Sequence, residues 1–413
     1  MPRIARWRRL PACLALAALY ACGGGGSGGE IGPPPPPPPP LTTGPAACEA
    51  GHAGDFPCGG VSLHRRVSPD AMGGTRGNDI WGWTDPVSGA EIALVGLNNG
   101  TAFVDVTDPD EPRVLGRLPT HTVPSSLRDI KVYADHAYIV ADGAGAHGMQ
   151  VFDLTRLRDA IPPQVFSADI NYGEFMHAHN VAINEESGFA YAVGTETCGG
   201  GLHIIDIRTP NNPMFAGCHD EDYTHDTQCV IYQGPDAEHA GAEICASSNE
   251  NRVAIVDVTD KSAPLTLAEL DYPQRGYVHQ GWLTEDHRFF LLGDEDDEYR
   301  FGVPTRTHVF DVSDLDVPVY LYFYEADTPA TDHNLYVLGN RVFQANYRAG
   351  LRVLEFGDLA NGEIEEIAYF DTQPPDDDGW LTGAWSVYPY FPSGVIVVSD
   401  TENGLFVLSL NAQ

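Results

Sequence analysis

The chain is poor in cations. Its 413 residues hold 23 Lys and Arg against 58 Asp and Glu, a formal charge of -35, which disfavours phosphate backbones and anionic membrane faces and so excludes nucleic acid as a partner. Long runs at 3.6-residue spacing are absent, which excludes helical repeats. No C-x-x-C pair occurs among the cysteines, so a zinc cluster on thiolates is disfavoured. No G-x-S-x-G elbow between a strand and a helix, no H-E-x-x-H pair and no nucleotide fingerprint opening a helix appears, so the common signatures of serine hydrolases, zincins and dinucleotide enzymes are missing. The glycine-rich stretch around His147 lacks the Gly-Lys-Ser/Thr of a phosphate loop.

What the chain does have is repetition. A small-residue turn, an apolar strand and a closing acidic residue recur seven times, ending at Asp105, Asp153, Asp206, Asp257, Asp311, Glu355 and, with serine in the acidic place, Ser409. The markers fall 44 to 54 residues apart, and a period near fifty rich in short strands is the signature of propeller blades. Upstream of each marker stand a first strand and then a very apolar second one, such as Phe189-Ala190-Tyr191-Ala192-Val193. Continuous apolar runs mean burial on both faces. Turn residues follow each marker, and Pro112, Pro213, Pro264 and Pro318 lead into an outer strand, since proline is tolerated at an edge.

The expected fold is therefore all-β, a seven-bladed β-propeller with four-stranded blades. The last copy stops at Asn411 without an outer strand, and residues 61–67 have the look of the missing one. Pairing of this N-terminal strand with the C-terminal blade would close the ring and remove an edge.

Before the repeats come a targeting segment and a spacer. Arg3, Arg6, Arg8 and Arg9 precede a short apolar region from Leu10 to Tyr20, and Leu19-Tyr20-Ala21-Cys22 resembles a lipobox. Residues 1–21 read as a lipoprotein signal peptide, with lipidation at Cys22 as the membrane anchor. Gly23 follows Cys22 where inner-membrane retention would use an acidic residue, so the expected place is the outer membrane or cell surface. Residues 22–47 read as a tether whose eight prolines, Pro33 to Pro40, would reach ~25 Å as polyproline II. Residues 48–413 form the propeller.

Six cysteines remain after Cys13 and Cys22, an even number suited to an oxidising compartment. Cys198 and Cys218 belong at one end of a single sheet, Cys229 and Cys245 face each other across a hairpin, and Cys48 and Cys58 close a short loop. The expected disulfides are therefore Cys48–Cys58, Cys198–Cys218 and Cys229–Cys245.

Long segments then carry a resemblance. Asn78-Asp79-Ile80-Trp81-Gly82-Trp83-Thr84-Asp85-Pro86, the run from Asp142 to Leu154, and Ala345-Asn346-Tyr347-Arg348-Ala349-Gly350-Leu351-Arg352 resemble the choice-of-anchor B family of bacterial surface proteins. Its LVIVD repeat is similar to Ala254-Ile255-Val256-Asp257. The resemblance covers the chain from about residue 55 to the end and implies a propeller displayed outside the cell, with no activity attached.

Chemistry belongs where innermost strands open on the central channel. A first-strand column of Asp79, Asp129, His179, Asp226, His279, His333 and Trp385 supplies one residue per blade, with His177, His225 and Asp332 nearby. Neutral imidazole and ionised carboxylate are natural metal ligands, so His179, His279, His333, Asp129 and Asp226 form a candidate metal set. Beside it stands the architectural reading, in which each column residue bonds the neighbouring blade and the repetition reflects the fold. Asp294-Glu295-Asp296-Asp297-Glu298 and Asp376-Asp377-Asp378 lack EF-hand spacing and read as solvated acidic loops, with calcium binding the alternative. The cofactor implied is a divalent metal, calcium or zinc. The tryptophans, Trp81, Trp83, Trp282, Trp380 and Trp385, read as blade packing, with sugar stacking the alternative. The functional expectation is a non-enzymatic binding or scaffold module for a surface protein or carbohydrate; the alternative is a metal-dependent hydrolase using the channel His and Asp.

Overall fold

A computed structural model describes residues 41–374, 379 and 381–411; the lipobox cysteine, most of the tether, Asp376 to Asp378 and Trp380 lie outside the described residues. Seven antiparallel sheets follow one another along the chain. Their innermost strands are Gly77–Thr84, Leu127–Tyr133, Asn180–Asn184, Asp226–Ile231, Val278–Leu283, Leu335–Leu338 and Ala384–Tyr388. Each contacts the inner strands of both neighbouring blades, and that of blade 7 touches that of blade 1, so the ring is closed. The protein is a seven-bladed β-propeller.

Closure uses the two ends of the propeller. Val61–Val67 pairs antiparallel with Gly404–Leu410 as the outer strand of blade 7. Phe56 seals the adjoining interface, its ring 5.4 Å from Phe370 of blade 6 and 5.2 Å from Phe406 of blade 7. Phe56–Gly59 and His52–Ala53 extend blade 6 beyond its own outer strand. The propeller also begins earlier than residue 48. Arg66 N–H donates to Thr43 O at 2.8 Å, Ala46 bridges Leu63, and Thr42 bonds Asp55, so residues 41–47 belong to the propeller and the tether ends before them.

Second strands are buried throughout, as in Glu91–Leu97 and Phe289–Asp294, because each lies inside a sheet packed on both faces. Outer strands such as Val319–Glu325 are partly exposed. The recurring acidic marker is a turn device. Asp105, Asp153, Asp206, Asp257 and Asp311 each accept the backbone N–H two residues on, at 2.8 to 3.1 Å, which turns the chain toward the outer strand. Blade 2 departs from the pattern. Its marker leads into a 3-10 helix, Leu154–Asp159, then Gln164–Val165 crosses to pair parallel with blade 1 before the short outer strand Ile170–Tyr172. Cys48–Cys58, Cys198–Cys218 and Cys229–Cys245 are bonded.

Candidate functional site: the two rungs of the channel

The structure divides the expected column into two rungs. Asp79, Asp129 and Asp226 stand in one with Asn180, Gln280, Asn334 and Ser386; His179, His279, His333 and Trp385 stand in the other with Asn78, Arg128 and His225. The physical reason is local. The register of the inner strand shifts between Gly77 and Ile80, between Val278 and Gln280, and between Ala384 and Ser386, and an extra residue at such a bulge re-aims a side chain. Counting residues from the strand start therefore mixes neighbours in blades 5 and 7, while in blades 3 and 6 His179 and His333 stand just ahead of the unbulged strands Asn180–Asn184 and Leu335–Leu338.

The first rung is a belt. Asp79 accepts from Ile130 N–H at 3.3 Å, Asp129 from Val181 N–H at 2.6 Å, and Asn180 donates to His225 O at 3.0 Å. Gln228, one step below, accepts from Leu283 N–H at 2.7 Å; Gln280 both accepts from and donates to Leu335, at 2.9 and 3.0 Å; Asn334 donates to Ser386 at 3.3 Å. Each bond joins one blade to the next. Lys131 serves the charge of this belt, its Nζ 2.6 Å from Asp129 and 3.8 Å from Asp79. Burial pushes Asp79 well above the usual carboxylate range, with Lys131 opposing. At Asp129 the same burial is outweighed by Lys131 and by hydrogen bonds, and its carboxyl sits below that range. Burial raises Asp226 to about 7. Asp129 is thus paired with an ammonium, and Asp226 accepts from Asn180 of the belt at 3.3 Å, so neither joins the close group of His279, His333 and Glu295.

The second rung is an arc of rings. Centroids are 4.3 Å apart for His179 and His225, 4.4 Å for His225 and His279, 4.3 Å for His279 and His333, and 4.5 Å for His333 and Trp385. His225 Nδ1 donates to His279 O at 3.0 Å and His333 Nδ1 to Trp385 O at 2.5 Å. A carbonyl only accepts, so both Nδ1 atoms carry the proton and both Nε2 atoms of the neutral rings are bare lone pairs. His179 Nδ1 lies 3.2 Å from Asp142 Oδ2 in the same way, and His177 Nδ1 lies 3.1 Å from the other oxygen. Burial, with His179 acting on His279 and His279 acting on His333, pushes both down to about 3, and burial pushes His225 well below its ordinary value. These rings are neutral across the physiological range.

Glu295 completes the arc. Its oxygens lie 3.7 Å from His279 Nε2 and 3.9 Å from His333 Nε2, and Tyr347 donates to it at 2.6 Å. Glu250 stands nearby and accepts from the Tyr277 hydroxyl at 3.0 Å. Inspection of the first strands alone misses Glu295, Asp142, Glu250 and Tyr347, although a signal exists: an antiparallel second strand ends where the first begins, so residues just past Asp142, Ser248, Asp294 and Ala345 return to the same mouth.

Two residues below the belt the channel turns aromatic. Trp81 and Trp282 pack on Tyr336 at 5.6 and 5.0 Å, and Lys131 Nζ lies 4.7 Å over Trp81. A cavity of about 100 Å³ opens beside Lys131, Gln228 and Trp282, and a wider one of about 670 Å³ is bounded by Trp83, Tyr133, Glu185, Glu285 and Tyr390. His147 is fully buried with Nε2 3.3 Å from Arg128, which is a packing role.

No protein-family model and no curated protein matches the chain. Among solved structures it is similar to the Myceliophteria thermophila Cps50 (Swd1) β-propeller domain, with a TM-score of 0.56 at 11% identity over 85% of this chain and 100% of that one. At that identity the likeness concerns the propeller fold alone.

Proposed function

We propose that the protein is an exported, lipid-tethered binding module of the choice-of-anchor B type, holding a divalent transition metal at the imidazole mouth of its propeller and using that ion to engage a surface protein or carbohydrate. One observation carries the metal. His333 Nε2 is a bare lone pair facing a Glu295 oxygen at 3.9 Å, with His279 Nε2 at 3.7 Å from the other oxygen; an acceptor-only group of this kind is matched by a cation. Hydrogen-bond acceptors on Nδ1 of His179, His225 and His333 fix the rings as outer-shell partners of metal ligands do. His279, His333 and Glu295, whose ligand atoms lie within 4.8 Å of one another, would hold the ion first, with His225 and His179 next along the arc, and a set rich in imidazole nitrogen suits zinc, manganese or iron. Bound there, the ion would act as a Lewis acid toward an oxygen of the ligand.

Export and anchoring rest on the lipobox at Cys22, the Gly/Pro spacer and the three disulfides. A second reading, metal-dependent hydrolysis, is favoured by Glu250 beside the arc, a carboxylate able to take a proton. Elemental analysis of the purified protein, paired with an activity screen before and after chelation, separates the readings. Expected is one equivalent of transition metal, lost in the double variant His279→Ala, His333→Ala, with ligand capture lost in parallel and no turnover. Metal-free protein whose ligand capture is unchanged by the double substitution would overturn the proposal, and chelator-sensitive turnover would promote the hydrolase.

A further inference from the structure

The loop that delivers Glu295 to the mouth also packs a second set of ligand atoms into the interior. Asp294 ends the second strand of blade 5, Asp297 and Glu298 open the short helix Asp297–Phe301, His308 lies on the third strand, and Asp332 precedes the inner strand of blade 6. Their exposures are 0, 1, 6, 0 and 2%. The solvated acidic loop expected from the sequence is thus a buried one, because Asp294, Asp297 and Glu298 turn inward.

Asp294 is well paired. It accepts from Tyr272 Oη at 2.7 Å, Gly276 N–H at 2.6 Å and Tyr277 N–H at 2.5 Å. Among the described residues, neither oxygen of Asp297, Glu298 or Asp332 has a hydrogen-bond partner of ordinary geometry, and Nε2 of His308 has none either. That imidazole is an independent pointer, since it is fully buried and its Nε2 stands 3.7 Å from Asp297 Oδ2. Ligand atoms of Asp294, Asp297 and His308 all lie within 4.8 Å of one another. A Cβ on Gly293 would come 2.5 Å from Asp332 Oδ2, so the glycine is what lets that carboxyl approach. The nearest guanidinium is committed elsewhere, Arg306 bonding Glu325 and Gln274.

Unpaired buried carboxylates are strongly unfavourable. Burial first, then Asp332, pushes Glu298 up to about 11, and burial with the neighbouring acids raises Asp332 and Asp297 as well. Shared protons would relieve part of the charge, but the 3.7 Å between His308 Nε2 and Asp297 Oδ2 is too long for a hydrogen bond and leaves room for a larger bridging group. A cation held by Asp294, Asp297 and His308, whose ligand atoms lie within 4.8 Å of one another, satisfies the facing atoms of Asp297 and His308 and draws on the buried charge of Glu298 and Asp332 beside them.

We propose that Asp294, Asp297 and His308, with the buried carboxyls of Glu298 and Asp332 beside them, form an interior divalent-cation site between blades 5 and 6. Oxygen donors outnumber nitrogen, so the site takes a hard cation of the calcium or manganese class. Its role is structural: it pins the loop on which Glu295 stands. It is distinct from the imidazole mouth and does not depend on metal there.

The test uses the full chain, stripped with chelator and titrated with calcium or manganese chloride, reading bound metal by elemental analysis and unfolding by calorimetry. Expected is one tightly held equivalent and a Tm rise on the order of 5 °C at a hundredfold excess over Kd. Asp297→Asn with Glu298→Gln should abolish both and leave the equivalent that depends on His279 and His333 in place. No calcium or manganese equivalent and no Tm shift in the wild type would overturn the inference and identify a proton-sharing cluster; in that case the amide variant would match or exceed the wild type in chelator. Should the amide variant fail to fold, the wild-type titration decides alone.

Discussion

The two ends of the channel are built from the same seven strands yet present opposite chemistry. At the end where the strands begin, the rings of His179, His225, His279 and His333 follow one another, each tilted on the next, beside Glu295 and Asp142. Below the belt, Trp81, Trp282 and Tyr336 close the channel with rings, and a cation already lies over one of them. Between them lies a belt in which nearly every polar side chain bonds the next blade. The difference teaches where to look for function in a repeat protein. Residues that serve the repeat recur around the ring, the turn aspartates bonding backbone in five blades and the belt bonding blade to blade; the arc of imidazoles occupies only four successive blades and breaks the symmetry, as a ligand site must when its ligand is smaller than the ring.

That contrast can be broken at the belt first. Lys131→Met leaves Asp79 and Asp129 buried without their cation and should destabilise the protein by about 3–5 kcal/mol, read by urea unfolding; adding Asp129→Asn should recover part of the loss. A penalty below about 1 kcal/mol would mean that the belt is no electrostatic partition.

A structural histidine outside the channel supplies the reference for pH. His203 is buried, its nitrogens bonded by the Tyr172 and Thr197 hydroxyls, and burial pushes it down to about 4. The unfolded chain takes up this proton near pH 6.5 and the folded chain only near 4, so the contribution is full above 6.5 and is lost as pH falls through that window. Its size is at most about 3 kcal/mol. In His203→Gln the stability deficit relative to wild type should shrink steadily from pH 7 to pH 4.5; a deficit independent of pH would show that the ring titrates normally.

The smallest effect probes the mouth from its outer shell. Asp142→Asn keeps the shape but weakens the hold on His179 and His177, and should reduce zinc affinity by about 10–100-fold. Tyr390→Phe at the aromatic end removes only a bond to Val337 O and should leave zinc affinity unchanged. Equal losses in both would dissolve the distinction between the ends.

Much of the fold was legible because its signals are short-range. The seven markers are turn formers, and their spacing counts the blades; residues 61–67 announce a strand with no partner before them, and Gly404–Leu410 lacks one after it. The site was legible only in composition. His179, His279 and His333 were picked out, but Asp226 was taken into the metal set in place of its neighbour His225, because successive strand residues face opposite ways and a string of letters does not say which of the two joins the imidazoles. Glu295 and Asp297 stand two residues apart in one acidic run, yet one reaches the channel and the other the interior.

The amino-acid sequence by itself determined the number of blades, their four-strand pattern and the partners of the six cysteines, since each follows from periodicity, turn chemistry and strand pairing over short distances. The closure by residues 61–67 spans the whole propeller and was legible only because a surplus strand at one end matched a missing one at the other. Tertiary structure alone decided which polar residues share a rung, which carboxyls lose water and which imidazoles keep a lone pair free. Those outcomes depend on side chains from successive blades, some fifty residues apart in the chain, meeting around an axis that exists only when the ring is shut.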